Sequence, residues 1–86
     1  MDKYRTEVYW WRGILDVKIW KYDVFIVLTA ETDFHPALTK FCKVFTACKA
    51  GKWNIYEISA ADVAFLLSNM KVTDSQDYRN QVFKFH

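Results

Sequence analysis

Apolar and polar residues alternate from the start of the chain. Tyr4, Thr6, Val8 and Trp10 fall on one side of a period-two pattern, and Arg5, Glu7, Tyr9 and Trp11 on the other. That period marks a β-strand, whose successive side chains point to opposite faces. Arg12-Gly13 reads as a turn, because glycine takes positive φ at no steric cost. Residues 14–30 are again β-rich. This stretch is longer than the usual strand of about 5–6 residues. It is either one long bent strand or two strands broken near Lys21-Tyr22-Asp23. Val24-Phe25-Ile26-Val27-Leu28 is apolar at both parities, which predicts a central strand covered on both faces.

The period then changes. Pro36 suits the first turn of a helix, where its missing N–H costs nothing, and Asp33 lies close to the positive end of that dipole. A helix is expected over 36–50, stopping at Gly51, with Leu38, Phe41, Cys42, Phe45 and Cys48 as its buried stripe. Residues 52–58 read as a strand, with Trp53, Ile55 and Glu57 on one side and Tyr56 and Ile58 on the other. Ser59-Ala60-Ala61-Asp62 reads as a capping box with Asp in the place of Glu. It opens a second helix to about Met70, whose stripe is Val63, Leu66, Leu67 and Met70. Residues 71–77 are rich in turn formers, and 79–85 alternate as a last strand.

The element order β-β(-β)-α-β-α-β predicts an α+β fold. Its expected form is a two-layer sandwich, with two helices on one face of a four- or five-stranded, mostly antiparallel sheet. The strands flanking the second helix are able to pair in parallel through a right-handed crossover. The 86 residues make a single domain spanning 1–86. Size scaling gives a chain of this length burial of about 64% of its surface, enough for a core without metal or disulfides. The 52% hydrophobic content, with only two Gly and one Pro, excludes a disordered or linker-like chain.

Twelve Lys and Arg oppose ten Asp and Glu, a net charge of +2. Dedicated duplex-DNA binders carry a stronger basic excess. Cys42 and Cys48 are six residues apart. On a helix that is about 9 Å along the axis, beyond the roughly 7 Å reach of a disulfide. A reducing compartment follows. The first residues form no apolar leader, and the longest apolar run is far short of a membrane span. A cytoplasmic location and no membrane partner are expected.

Catalytic chemistry finds little footing. Glu31 and Asp33 are spaced as a carboxylate pair, but they read as solvated charge ahead of a helix. His35, Cys42, Cys48 and His86 lack the spacing of metal ligands. No nucleophile elbow and no glycine-rich phosphate loop occur. A non-enzymatic protein without a cofactor is expected.

The 19% aromatic content changes the picture. Trp10 and Trp11 are strand neighbours, so they cannot both face the helices. Two short helices cover one sheet face, and the other face is left with large apolar side chains. Such a face is an interaction surface, unless a curled sheet or a loop covers it. Tyr9, Trp11, Trp20 and Tyr22 are the expected anchors for a partner protein. A homodimer through the face is expected, and the chain has the style of a stand-alone inhibitor or modulator of the phage or mobile-element type. The alternative is a single-stranded RNA or DNA binder. There the sheet aromatics stack bases, and a lysine stripe of Lys40, Lys43, Lys49 and Lys52 follows the phosphates.

Overall fold

A computed structural model describes residues 3–44 and 52–75. Its first three strands form a meander: β1 (Lys3–Trp11), β2 (Ile14–Lys21) and β3 (Val24–Glu31). Helix α1 (Pro36–Val44), strand β4 (Asn54–Ser59), helix α2 (Ala60–Asn69) and strand β5 (Lys71–Ser75) follow. The sheet order is β4-β1-β2-β3-β5, and every neighbouring pair is antiparallel. The fold is α+β.

Two tight turns set the register of the meander. Arg12 and Gly13 have φ of 52° and 76°, the double left-handed geometry that matches strand twist in a two-residue hairpin. Trp11 is thereby placed opposite Ile14. The break expected near residues 21–23 is the second turn, in which Tyr22 has φ 58° and Lys21 pairs with Val24. The Gly13 turn is pinned by the residue that follows β3. Gly13 O accepts both the backbone N–H of Thr32 (2.7 Å) and its hydroxyl (3.1 Å). A Cβ on Gly13 would meet only the end of the exposed Asp33 side chain, which can move aside, so it is the φ of 76° that calls for glycine here.

One face of the sheet builds the core. Leu15, Val17 and Ile19 of β2 are fully buried, together with Val8, Leu28 and Ile58 from the strands around them. Leu38 and Cys42 of α1 and Val63 and Leu66 of α2 join the same cluster. These are the stripe positions read from the helical period. His35 caps α1, with Nδ1 accepting the N–H of Leu38 at 3.2 Å. Ser59 Oγ accepts the N–H of Asp62 at 3.2 Å, as the capping box requires. No helix of the described residues is long and apolar enough to cross a membrane.

Four expectations change. The centre of the sheet is β2, not the apolar run 24–28. That run lies in β3, and its Phe25 and Val27 are half-buried on the face away from the core. The strands flanking α2 are not paired. They form opposite edges, because the meander fills the middle of the sheet. Ten helical residues extend about 15 Å, against about 19 Å across four strand spacings, so α2 spans the sheet from edge to edge. Residues 71–75 are a strand rather than a loop. Met70 ends α2 in an extended conformation, and the chain then meets the open edge of β3. Tertiary pairing there overrides weak local propensity. The strand expected over 52–58 begins at Asn54. The expected strand over 79–85, and the end of the first helix with Phe45 and Cys48, lie outside the described residues.

Candidate functional site

The face away from the core carries the odd-numbered residues of β1 and the even-numbered residues of β2. The registers arrange them in rows across the sheet. One row contains Trp11, Ile14 and Glu31, and the next Tyr9, Asp16, Thr29 and Lys71. A third contains Ile55, Glu7, Lys18, Val27 and Asp74. Trp20 and Phe25 lie opposite one another in the fourth, and Arg5 pairs with Glu57 there. Lys71 and Asp74 share this face because β5 has a register shift opposite Val27 and Leu28. Thr73 sits between the shifted pairs, its hydroxyl donating to Val27 O at 3.2 Å.

Exposed apolar groups line the end of this face near the first turn and its β4 side. Trp11 is 45% exposed, Ile14 38%, Trp53 50% and Ile55 64%. Tyr9 packs on Trp53 with ring centroids 5.3 Å apart. At the other end Trp20 and Phe25 pack at 4.9 Å. Cations cover those rings. Lys18 Nζ lies 4.1 Å from the Phe25 centroid and 5.0 Å from that of Trp20, and the Arg5 guanidinium lies 5.6 Å from Trp20. Trp20 Nε1 is buried and meets no acceptor among the described residues.

Tyr9, Trp11 and Trp20 are thus on one face, but they do not converge. Six residues of β2 separate Ile14, opposite Trp11, from Trp20, a span of about 20 Å. Tyr22 sits beyond Trp20 at the hairpin tip and is 85% exposed. The sequence reading of anchors omitted Ile14, Trp53 and Ile55. Alternation had put Trp53 and Ile55 on one side of their strand, and a two-residue turn at 12–13 sets Ile14 beside Trp11. Phe34, the most exposed apolar residue described, lies in the loop after β3, where no periodicity flags it.

The lysines occupy a different surface. Lys40 and Lys43 are exposed on α1. Lys40 borders a shallow cleft of about 300 Å³ with Ala37, Phe41, Asp62 and Phe65, between the two helices. Phe41 and Phe65 form its floor, their centroids 5.8 Å apart. Lys52 is exposed ahead of β4, and Lys49 lies outside the described residues. The sheet therefore separates Lys40 and Lys43 from the aromatic face. Elsewhere, His35 spends its Nδ1 on the helix cap, and Cys42 is buried in the core.

Comparison of the chain with protein-family models, with curated proteins and with solved structures finds no match.

Proposed function

We propose that this chain is a small non-enzymatic binding protein that docks on protein through the open face of its sheet and acts there as an inhibitor or modulator. One observation carries the reading. Trp11, Ile14, Trp53 and Ile55 hold large apolar surface in water on a face that the described helices leave bare. Among them run charges of both signs, Asp16 and Lys18 on β2 and Glu7 and Arg5 on β1, as in a surface that orients a partner. A cytoplasmic setting is part of the reading, from the six-residue spacing of Cys42 and Cys48 in the sequence.

Base stacking is less well supported on the same face. The rings of Trp20 and Phe25 are already faced by Lys18 and Arg5, and Lys40 and Lys43 lie on the helix side.

The test compares three immobilised proteins in extracts of the source cell: the natural chain, Trp53→Ala/Ile55→Glu, and Lys40→Glu/Lys43→Glu. The expected result is a bound protein that the face variant loses, that the lysine variant keeps, and that changes little with salt. Binding lost only by the lysine variant, falling linearly with log salt, would overturn the reading in favour of nucleic acid.

A further inference from the structure

We infer that the protein seated on the open face is a second copy of this chain, packed face to face about a two-fold axis that crosses the strands at the level of Val17. The inference rests on the reading of that face as a protein-docking surface, and a target protein that docks there has to displace the second copy.

The register carries it. Along β2 the open-face residues run Ile14, Asp16, Lys18, Trp20. About the midpoint at Val17 this series is symmetric in apolar character and opposite in charge. A two-fold axis at that level, perpendicular to the strands, sets Asp16 against Lys18 of the second copy and Lys18 against its Asp16. Ile14 then meets Trp20 of the other chain. On the β4 side the same axis brings Ile55 near Trp53 of the opposite copy, the residue just ahead of β4 that packs on Tyr9. Two alternative axes fail on charge. An axis along β2 stacks Lys18 on Lys18 and Asp16 on Asp16. An axis through the Glu7–Lys18 row repeats the Lys18 clash and adds one between the two Glu7 carboxylates. Like charges held against each other in this way oppose association.

The size also fits. Five strands about 4.8 Å apart and about seven residues long on average give a face of roughly 600 Å² in plan. Side-chain relief raises that toward the roughly 800 Å² per partner of a stable interface. Two stacked sheets turn by about 30° relative to each other at a separation of about 10 Å. The turn swings the periphery and leaves the centre in register, so the central Asp16–Lys18 contacts are the ones to test.

Mass is measured by light scattering from about 1 to 200 µM for the natural chain, Asp16→Lys, Lys18→Asp, and an equimolar mixture of the two variants, with circular dichroism as the folding control. The natural chain should dimerise. Each variant alone opposes like charges twice and should weaken the dimer at least about ten-fold. In the mixture, Asp16→Lys presents two cations at these positions and Lys18→Asp presents two carboxylates. Both central contacts then pair opposite charges, and a heterodimer should be restored even where a single variant is poorly folded alone. A natural chain that stays monomeric throughout overturns the second copy, while docking of a different protein on the face still stands or falls by the extract experiment. A dimer that survives both variants, or a mixture that recovers nothing, overturns this interface.

Discussion

Thr32 is the place where a single atom decides the most. It is 1% exposed and joins three parts of the chain. Its hydroxyl accepts from Trp10 Nε1 at 3.1 Å and donates to Gly13 O at 3.1 Å. Its carbonyl accepts the N–H of His35 at 3.0 Å and the hydroxyl of Thr39 at 2.7 Å. Thr32→Val keeps the shape and the backbone bonds and deletes only the hydroxyl. Two hydrogen bonds are lost, at about 1 kcal/mol net each. Gly13 O keeps the backbone N–H of residue 32, but the indole N–H of Trp10 is left without its acceptor in a part-buried site. The total cost should be about 2–3 kcal/mol, out of the roughly 5–15 kcal/mol available to a domain. At this chain length that is a fall in Tm of about 10–20 °C.

Urea denaturation of Thr32→Val beside Thr32→Ser is the assay. Serine keeps the hydroxyl and loses one methyl, worth about 1 kcal/mol, so it should lie well above valine in stability. A cycle with Trp10→Phe isolates the indole–hydroxyl bond, and the coupling should be about 1 kcal/mol. A valine variant within about 0.5 kcal/mol of the natural chain, or a serine variant as costly as valine, would refute this role for the hydroxyl.

Two further substitutions probe local backbone logic. Tyr22 occupies the left-handed region, which costs an L-residue about 1–2 kcal/mol and which asparagine tolerates better. Since Tyr22 is nearly fully exposed, Tyr22→Asn should raise stability by about 0.5–1 kcal/mol in a urea titration, and an unchanged midpoint would contradict a strained turn. His35→Ala should cost about 1 kcal/mol through loss of the α1 cap, and His35→Ser should recover most of it. Equal loss in both variants would mean that the Leu38 N–H bond contributes nothing.

Periodicity made much of this molecule legible. Strict alternation in β1 and β4 assigned each residue to a face, and the first turn, the Ser59 cap and the helix stripes followed from local chemistry, while the second turn was one of two alternatives and the His35 cap carried no sequence signal. Parity, however, gives the face and not the row. Tyr9, Trp11 and Trp20 share a side, but their separation depends on where the two-residue turns fall. Nor does apolar character say what covers a residue. Phe25 and Val27 read as doubly buried, whereas they are half-buried beside their cross-strand neighbours Trp20 and Lys18 on the face away from the described helices. Strand β5 was hidden for a related reason. Lys71-Val72-Thr73-Asp74 has little strand character alone, and becomes a strand because the edge of β3 lies in its path.

Strand β2 shows how one segment serves both the fold and the open face. Its odd positions, Leu15, Val17 and Ile19, are fully buried under the helices. Its even positions, Ile14, Asp16, Lys18 and Trp20, form the middle of the face that the described helices leave open. The pleat keeps the two sets on opposite sides of the backbone, so their energetics separate. A truncation at an odd position leaves a cavity and lowers stability wherever the protein is measured. A charge change at Asp16 touches no core atom, and its main effect belongs to whatever meets the face. The two parities can therefore be read independently. If the Asp16 variant unfolded as an odd-position truncation does and its mixture with the Lys18 variant recovered nothing, the face would be part of the chain's own core, and neither a second copy nor any other protein would be needed to cover it.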